Sequence, residues 1–509
     1  MVPQGEPALL CKDGKLRLKD KKKTYKAFCS KDLFDIMEEF DLIVIGSGAG
    51  TNVASEAAQK GLEVALVDQG PTGGTCLNSG CIPSKMLIYP ADVIRSIQDA
   101  RNIGVHAELH EVDFEKIMRR MHGVVDEARR DLEEALESSE GLTYIKEKAE
   151  FVDDYVLKVG EREITSRKMV IATGARSLLP AIPGLQEAGF LDNLSLLQLK
   201  ELPHSLIIIG GGYIACAFGH FFSALGVDVT IIGRHPLLLK GEDPEVARLV
   251  QQRLSVFMRV ITGHEVVSVE RRGELKAVSA KNMQDGRILQ FEAEEILLAA
   301  GRQPNSDLLR PEKSGVKTDR QGWILVNRYL ETSKRGVYAL GDALGKHMYR
   351  HTANYEAQVV GHNLFHGEVE ANQQEADYHA VPYAVFTYPA VAGVGMKESE
   401  AAAKGLKVLI GRAAYKDTAK GMAMGEEGSL VKVVIEETGK ILGATIVGPS
   451  AAELAQQVVY LMNTEYQDLM PVIRSQVIHP SLNEVLVRAF SQLQSSGEQT
   501  WHSAIDGPA

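Results

Sequence analysis

Cysteine is scarce in this chain, and its scarcity excludes one class of protein. Five cysteines occur among 509 residues, namely Cys11, Cys29, Cys76, Cys81 and Cys216. A set that is sparse and odd in number does not supply the disulfide framework of small secreted domains. The N-terminal region also lacks a basic segment followed by an apolar one. We therefore expect no secretory signal peptide and predict a cytoplasmic protein.

Long apolar runs and an excess of positive charge are missing too. The longest apolar stretch, residues 206–222, contains three consecutive glycines at 210–212 and also His220, so it is typical of a strand, a turn and a helix rather than of a membrane span. The formal net charge of -11 disfavours nucleic acid as a partner. Residues 12–26 are locally basic, and we expect a solvated, poorly ordered arm there, with binding of an anionic partner as the alternative.

The pattern of strands and helices repeats once along the chain. LIVIG at 42–46 precedes a helical pattern and then EVALVD at 63–68, and SLIIIGGG at 205–212 precedes a helical pattern and then VDVTIIGR at 227–234. A strand, a glycine-rich turn, a helix and a second strand form the βαβ unit of a parallel sheet. The sequence therefore predicts an α/β fold with two Rossmann-like dinucleotide-binding domains. Strand and helix patterns from about residue 378 predict a third, C-terminal α+β domain.

The first glycine-rich turn contains Gly46, Gly48 and Gly50, with Thr51 at the position where the fingerprint usually has its third glycine. Glycine lets the backbone turn tightly and approach a pyrophosphate at the N-terminus of a helix. Asp68 ends the second strand, 22 residues after Gly46, where an acid can accept hydrogen bonds from a ribose. This turn is predicted to bind an adenosine-containing dinucleotide, with a merely tight turn between a strand and a helix as the alternative.

The second βαβ unit differs from the first at the end of its second strand. Its predicted nucleotide contacts are Gly210, Gly212, Tyr213 and Ile214. The strand ends in Gly233-Arg234, without an acid. A carboxylate there would repel a 2′-phosphate, whereas Arg234 can pair with one bidentately and Lys240 lies on the next loop. The sequence therefore favours NADP over NAD at this site, with a solvated arginine as the alternative interpretation.

Cys76 and Cys81 lie five residues apart in GGTCLNSGCIPSK, residues 73–85. Residues 70–90 contain no other cysteine and no histidine, so a metal site would lack ligands. Five residues along a regular helix separate two Cα atoms by more than about 7 Å, so a bridge needs a local distortion of the backbone. Such a bridge would be strained and easily reduced. Two buried free thiols remain the alternative to a redox disulfide.

Seven motifs, taken in order, resemble the FAD-dependent pyridine nucleotide–disulfide oxidoreductases. They are GSGAG, GGTCLNSGCIPSK, VIATGAR, GGGYIA, AAGRQPN, GVYALGDA and HPSLNE. The resemblance extends from about Phe40 to Phe490. The resemblance implies a homodimer in which NADPH passes a hydride to FAD and the electrons pass to a Cys76–Cys81 disulfide. The resulting dithiol would reduce a small-molecule or lipoyl disulfide.

The resemblance also implies roles for single residues. Cys81 corresponds to the thiol nearest the flavin, Cys76 to the interchange thiol, and Lys85 to the lysine beside the flavin N5. His479 and Glu484 correspond to an acid–base dyad contributed across the dimer interface, which suits a reaction that protonates a leaving thiolate. Further implied contacts are Gly74, Thr75, Thr173, Gly174, Gly341 and Asp342 for FAD, and Gly301 for NAD(P).

Two features depart from the family pattern. Ala217 occupies the position of a glutamate that usually pairs with the lysine at 85, so Lys85 needs another partner or has a lowered pKa. No cysteine follows Cys216, which argues against mercuric reductase and high-molecular-weight thioredoxin reductase, because both use an additional C-terminal cysteine pair.

HTANYEA at 351–357 and VFTYPAVAGVG resemble the mycothione reductase branch more than they resemble glutathione reductase. NAD-dependent dihydrolipoyl dehydrogenase is the main alternative, although it generally has an acid at the position of Gly233. A flavoprotein that has lost catalysis and serves as a binding subunit is a third. The predicted division is 1–36 as a basic extension, 37–165 and 295–370 as two parts of an FAD-binding domain, 166–294 as an NAD(P)-binding domain, 371–490 as a dimerisation domain and 491–509 as a polar tail. No metal, nucleic-acid or membrane partner is predicted.

Overall fold

The computed structural model describes residues 11–12, 15–20, 23–28, 36–367 and 370–496. These residues form two compact units. The first unit consists of the described residues up to Pro83 together with His122–Arg176 and Arg302–Ala376. The second consists of Ser84–Met121, Ser177–Gly301 and the described residues from Asp377 onward.

The strands are β1 Cys11–Lys12, β2 Lys15–Asp20, β3 Lys23–Phe28, β4 Ile36–Glu39, β5 Leu42–Ile45, β6 Val64–Val67, β7 Leu142–Ile145, β8 Ala149–Asp153, β9 Val156–Val159, β10 Arg162–Thr165, β11 Met169–Ile171, β12 Ala175–Ser177, β13 Ser205–Ile209, β14 Asp228–Gly233, β15 Arg259–Thr262, β16 His264–Arg272, β17 Leu275–Asn282, β18 Ile288–Ala293, β19 Glu295–Leu298, β20 Arg302–Pro304, β21 Val337–Ala339, β22 Pro382–Val385, β23 Val391–Gly395, β24 Val408–Ala414, β25 Leu430–Glu436, β26 Ile441–Val447 and β27 Leu493–Ser495. The helices are α1 Gly50–Gln59, α2 Gly74–Asn78, α3 Cys81–Asp99, α4 Phe114–Glu137, α5 Leu185–Ala188, α6 Tyr213–Ala224, α7 Pro244–Ser255, α8 Ser306–Leu309, α9 Arg350–His366, α10 Glu398–Ala403, α11 Ala419–Met424, α12 Ala451–Met462, α13 Met470–Arg474 and α14 Asn483–Ser491.

A parallel sheet with strand order β21-β11-β5-β6-β7 forms the centre of the first unit. Strands β5, β6, β11 and β21 are buried along their whole length. Continuous burial explains why these segments are unbroken apolar runs rather than alternating ones. The carboxyl ends of these parallel strands lie at one edge of the sheet, which is where open α/β sheets bind ligands.

A second sheet of the first unit has the order β1-β2-β3-β4-β10-β9-β8. Our expectation of a poorly ordered arm over residues 12–26 is wrong where the structure describes this segment, because β2 and β3 pair with each other and β3 pairs with β4. A strand added to β4 satisfies backbone groups that an open edge would leave unpaired. The rest of the predicted extension and the predicted tail beyond residue 496 lie outside the described residues.

The second unit contains a parallel sheet of order β15-β14-β13-β19 and an antiparallel sheet of order β16-β17-β18. Its C-terminal part has the antiparallel order β22-β23-β26-β25-β24-β27, and α12 and α14 pack their apolar residues into the core of that sheet. The expected α+β region is therefore present. In the described part of the chain, no helix combines the length and the apolar character needed to cross a membrane.

Glycine is required at the same point in both parallel sheets. Gly46 follows β5 with φ +110°, and a Cβ atom there would lie 2.2 Å from the carbonyl oxygen of Ala172. Gly210 follows β13 with φ +135°, and a Cβ atom there would lie 2.2 Å from the carbonyl oxygen of Ala299. Each glycine lets the turn pass directly against the neighbouring strand end. The predicted repeat of the βαβ unit is confirmed by this matching geometry.

Candidate active site

A break between two helices brings the thiols of Cys76 and Cys81 together. Cys76 lies in the short helix α2, and Cys81 is the first residue of α3. Gly80 lies in the break, where a Cβ atom would lie 2.9 Å from the carbonyl oxygen of Thr75. Both thiols are half-buried and are not joined in a disulfide, and their side chains form a hydrogen bond. The expected backbone distortion is therefore present, while formation of the disulfide stays a prediction.

The pKa of the Cys76 thiol lies well above its ordinary value. The largest cause is its hydrogen bond with Cys81, followed by burial and by the charge that Cys81 can carry. The Arg350 guanidinium acts in the opposite direction and lowers the pKa of Cys76. Because the thiolate is the reactive form of cysteine, Cys76 needs a base or a nearby cation in order to react at neutral pH.

The sequence did not single out Arg350 as a site residue. It is half-buried and begins α9, 274 positions after Cys76. The basic character of KHMYRH, residues 346–351, is visible in the sequence, but the approach of one of its residues to Cys76 depends on tertiary structure.

We expect the substitution Arg350→Gln to raise the pKa of Cys76 further and to slow its alkylation at neutral pH by about two- to fivefold, the size of a partly screened charge pair. The defect should shrink as the pH rises, because hydroxide then supplies the thiolate. The measurement is the rate of iodoacetamide modification of the reduced protein between pH 6 and pH 10, with the modified cysteine identified by mass spectrometry.

Two variants control this measurement. Arg350→Lys keeps the charge and should keep the pH profile. Arg320→Gln removes an exposed arginine of the same unit that is not among the charges acting on Cys76, and it should leave the profile unchanged. Equal profiles for Arg350→Gln and the unmodified chain would disprove an electrostatic role for Arg350.

The predicted FAD contacts of the first unit lie at the edge of its parallel sheet where the carboxyl ends of the strands meet. Gly46 follows β5 and Asp68 follows β6, while Thr173 and Gly341 follow β11 and β21 within two residues. These four strands are neighbours in the sheet, so their carboxyl ends bring the four residues to one edge. Gly48 and Gly50 continue the first turn, Gly174 follows Thr173, and Gly74 and Thr75 begin α2.

The turn after β5 has the shape of a cradle for a phosphate. A Cβ atom at Gly48 would meet no atom within 4 Å, whereas a Cβ atom at Gly50 would lie 2.8 Å from Val44 Cγ1. Ser47 donates hydrogen bonds from its backbone N–H and its Oγ to Asp68 Oδ2, both at 2.6 Å. The sequence did not predict this contact of Ser47, which holds the acid against the turn. Space over the turn and a fixed acid at its edge suit a dinucleotide.

Orphaned polar groups near these strand ends also fit a polar cofactor. Among the described residues, Thr173 Oγ1 and Arg302 Nε are buried without a hydrogen-bond partner, a state that costs roughly 1–3 kcal/mol for each group. Arg302 Nη2 lies 3.3 Å from Asp342 Oδ2. Burial raises the pKa of Asp342, and Arg302 opposes that rise. The hydroxyl and phosphate groups of FAD would supply the missing partners, so the residues present fit this cofactor.

The parallel sheet of the second unit has a similar edge, where the carboxyl ends of its strands meet a glycine-rich turn. Gly210 follows β13 and Gly212 precedes α6, whose first turn contains Tyr213 and Ile214. Gly301 lies three residues beyond β19. Because β13, β14 and β19 are parallel neighbours, their carboxyl ends converge on the N-terminus of α6. The arrangement suits a second dinucleotide with its pyrophosphate at that helix end.

A cluster of basic residues follows β14. Arg234, His235 and Lys240 are all exposed, and the pKa of His235 is lowered first by burial and then by the charges of Lys240 and Arg234. Leu239 donates its N–H to the carbonyl of Gly211 at 2.8 Å, which ties this loop to the glycine-rich turn. His235 was not among the residues predicted from the sequence, although it directly follows Arg234. The cluster suits a dianionic group such as a 2′-phosphate.

Lys85 has a partner other than a glutamate on α6. Its Nζ lies 4.1 Å from the ring centroid of Phe386 and 3.4 Å from Ser84 Oγ. An ammonium group over an aromatic face is attracted by the ring quadrupole. Ala217 is half-buried on α6. The expectation that Lys85 finds a different partner in this chain is therefore confirmed for the cation–π contact with Phe386.

His479 and Glu484 form the expected pair. His479 Nδ1 lies 2.8 Å from Glu484 Oε1, and Ser481 donates its N–H to Glu484 Oε2 at 3.1 Å. The pKa of Glu484 is lowered, first by the hydrogen bond from His479 and then by that from Ser481. Because an ionised carboxylate can only accept, His479 Nδ1 carries the proton and Nε2 is free to exchange one. The His479 side chain is 70% exposed, so Nε2 is accessible.

Comparison with known proteins places this geometry in context. The profile described as pyridine nucleotide-disulphide oxidoreductase matches residues 40–357, and that of the family's dimerisation domain matches residues 381–490. Mycothione reductase from Mycobacterium tuberculosis (strain ATCC 25618 / H37Rv) is 35% identical over 470 residues, which cover 90% of this chain and 100% of that protein. Mercuric reductase from Staphylococcus aureus is 34% identical over 419 residues, 82% of this chain and 76% of that protein.

The solved structure of the HOCl-induced flavoprotein disulfide reductase RclA from Escherichia coli is also similar. Its TM-score is 0.78 at 28% sequence identity, and the match covers 89% of this chain and 99% of that chain. The two family matches, residues 40–357 and 381–490, include every predicted site residue.

Proposed function

The chain belongs to the pyridine nucleotide-disulphide oxidoreductase family, and we propose that it is an NADPH-dependent reductase of a small disulfide, of the mycothione reductase type. Members of this family depend on FAD and use NAD(P)H. The observation that carries the proposal is the Cys76–Cys81 thiol pair, which is hydrogen-bonded at a break between two helices. A close, half-buried thiol pair suits a disulfide that is repeatedly opened and closed.

When bound, FAD supplies a two-electron relay between the nicotinamide and the thiol pair. In the reduced protein, the Cys76 sulfur attacks one sulfur of the substrate disulfide and releases the first thiolate. Cys81 then attacks the Cys76 sulfur of the mixed disulfide, which closes the Cys76–Cys81 bridge and releases the second thiolate. Two thiol protons leave the cysteines and two substrate thiols form, so protons and electrons balance.

His479 takes the proton from Cys76 and gives a proton to the leaving thiolate. Because the pKa of Cys76 is raised, a base is needed to take its proton, and the leaving thiolate needs an acid. His479 can do both in turn, with Nδ1 held by Glu484 and Nε2 exposed. Residues 381–490 match the family's dimerisation domain, and we propose that the dyad of one subunit serves the thiol pair of the other.

Arg234, His235 and Lys240 support a preference for NADPH. We expect Arg234→Glu to lower kcat/KM for NADPH roughly a hundredfold, because charge-assisted hydrogen bonds to a phosphate contribute about 1.5–3 kcal/mol and the new carboxylate repels the phosphate. The value for NADH should stay within about threefold, since NADH has a free 2′-hydroxyl there. Steady-state kinetics with both nucleotides and one fixed disulfide measure this.

Arg259→Glu is the matched control for Arg234→Glu. Arg259 is also exposed, but it begins β15, and the parallel register places it at the opposite end of the sheet from Arg234. The same charge reversal there should leave the NADPH to NADH ratio unchanged. A ratio that does not move in Arg234→Glu, or moves equally in Arg259→Glu, would exclude a 2′-phosphate site at the end of β14.

Turnover with different disulfides tests the substrate class. The proposal expects NADPH-driven reduction of mycothiol disulfide to exceed that of glutathione disulfide and lipoamide. Preference for NADH together with lipoamide would point to dihydrolipoyl dehydrogenase. Stable FAD binding without turnover of any of the three disulfides would instead favour a binding subunit that has lost catalysis.

A further inference from the structure

Within the second unit, polar side chains that the proposed chemistry does not use join α6 to the part of α3 that begins at Ser84. α3 carries Lys85, and α6 carries Tyr213 and Ala217. In the family pattern, a glutamate at 217 would pair with the lysine at 85 and tie these two helices together. Ala217 cannot make that contact. Other ties between the same two helices are found one to three turns further along.

The first tie joins Asp92 to His220. His220 Nε2 lies 2.8 Å from Asp92 Oδ1, and the His220 side chain is only 1% exposed while that of Asp92 is 44% exposed. His220 lies three residues after Ala217, and Asp92 lies seven residues after Lys85. Residues at these spacings share a helix face with the pair that is missing. A buried imidazole is therefore held by a carboxylate from the other helix.

The second tie joins Arg95 to Ser223. Arg95 Nη2 donates to Ser223 Oγ at 2.8 Å, and Nη1 donates to Gln98 Oε1 at 2.8 Å. The Arg95 guanidinium carbon lies 3.8 Å from the ring centroid of Phe257, and the residue is 4% exposed. Burial lowers the pKa of Arg95 to about 10, against the raising effect of Asp99 and Tyr388.

A third contact fixes the end of α3. The Tyr388 hydroxyl donates to Asp99 Oδ2 at 2.6 Å. The Tyr388 ring packs edge-on against Phe257 with centroids 6.3 Å apart, and it stacks with His220 at 5.7 Å. The Asp92, Arg95 and Asp99 side chains thus follow one face of α3 and are each fixed by a directional contact. We call these three residues and their partners on α6 and at Tyr388 the α3 clamp.

We propose that the α3 clamp replaces the missing pair between residues 85 and 217, and that Asp92, Arg95 and their partners His220 and Ser223 are positioning residues for the reductive half-reaction. The clamp holds α3 against α6 and thereby fixes Lys85 relative to Tyr213 at the nicotinamide site. This inference rests on the proposed function, because it assumes that Lys85 lies beside the flavin. None of the clamp residues touches the reacting atoms.

Energetics favour a positioning role over a purely stabilising one. Replacing a buried polar contact with apolar groups of similar volume is often neutral or stabilising, because desolvation offsets the attraction. Hydrogen bonds and ion pairs, unlike apolar contacts, specify one relative orientation of two helices. A chain that needs only stability gains little from burying Arg95 and His220 between α3 and α6. A chain that needs Lys85 in one place gains a fixed geometry.

The test compares Arg95→Met and His220→Phe with the unmodified holoprotein by anaerobic stopped-flow. We expect the limiting rate of flavin reduction by saturating NADPH to fall about ten- to hundredfold, since misplacement by about 1 Å costs about that factor. The rate at which a disulfide reoxidises the reduced thiol pair should stay within twofold. Arg95→Lys keeps one donor and should retain most of the reduction rate.

Ala217→Glu supplies the second arm of the test. In the Arg95→Met background it should return at least a third of the lost rate, because it restores the family's tie to Lys85. Hydrogen exchange of the apoprotein gives a readout that is independent of activity: amides of α3 and α6 should exchange faster together in Arg95→Met and slow again in the double variant.

Lys276→Met is the matched control. Lys276 is a buried cation in the same unit, 2.5 Å from Glu295, on β17 rather than on α3 or α6. It should lower the melting temperature without changing flavin reduction. Flavin reduction within twofold of normal in both clamp variants, or a loss in Lys276→Met equal to theirs, would overturn the clamp proposal. Failure of NADPH to reduce the unmodified protein would instead refute the proposed function, and the exchange data would still test the clamp.

Discussion

Replacing Cys76 with serine is expected to abolish disulfide turnover, by roughly a thousandfold or more, because a serine hydroxyl cannot form the mixed disulfide that carries the electrons. Reduction of the flavin by NADPH should continue at close to the normal rate, since no step before the thiol pair involves Cys76. The substitution should therefore stop the reduction of the disulfide substrate and leave the reduction of the flavin nearly unchanged. Steady-state turnover and anaerobic stopped-flow reduction, recorded on the same preparation, measure the two effects.

Cys216→Ala is the matched control for Cys76→Ser. Cys216 is fully buried on α6, and burial raises the pKa of its thiol to about 12. An inert, protonated thiol should be dispensable, so turnover should stay within about twofold. Turnover above a few per cent in Cys76→Ser, or an equal loss in both variants, would refute Cys76 as the interchange thiol.

Replacing His479 with glutamine is expected to lower turnover about a hundred- to ten-thousandfold at neutral pH, the usual range for a lost acid–base group. The reason is the raised pKa of Cys76, which keeps this thiol protonated unless a base removes its proton. The sign of the pH dependence follows. As the pH rises, hydroxide deprotonates more of Cys76, so the defect should narrow toward alkaline pH. Turnover at pH 6 to pH 10 measures this.

Glu484→Gln separates orientation from proton transfer. It keeps the imidazole but removes the charge that fixes its tautomer, so we expect a smaller loss of turnover, about tenfold.

Mixed dimers test whether the thiol pair and the His479–Glu484 pair of one site come from different subunits. A dimer of one Cys76→Ser subunit and one His479→Gln subunit should regain about half of the normal turnover if each site combines residues of both subunits. An inactive mixed dimer would place thiol pair and dyad in the same subunit.

A small effect of His479→Gln on turnover at every pH would contradict the role given to His479. If His479→Gln stayed within threefold of normal at every pH, another group would have to accept the proton of Cys76. The basic segment 346–351 contains two histidines. The next measurement would then be the turnover of variants in which His347 or His351 is substituted.

The local parts of the fold and of the site were predictable from the sequence. Gly46 and Asp68 belong to one βαβ unit, and His479 and Glu484 are five residues apart, so their contacts depend on short segments of backbone. The thiol pair was predictable for the same reason, including the need for a distortion between Cys76 and Cys81. Burial of the parallel strands was visible as unbroken apolar runs.

Contacts between distant segments were decided only by the tertiary structure. The effect of Arg350 on Cys76, the packing of Lys85 on Phe386, and the bond from Arg95 to Ser223 join residues more than 100 positions apart. The pairing of β3 with β4, which adds β1–β3 to the sheet, likewise followed from an open sheet edge rather than from the composition of residues 12–26. The sequence by itself determined which chemical groups the protein has and which of them lie at strand ends. The packing of helices and sheets determined the charges around those groups, because electrostatic interaction depends on distance in space and on burial, and neither is encoded in local spacing.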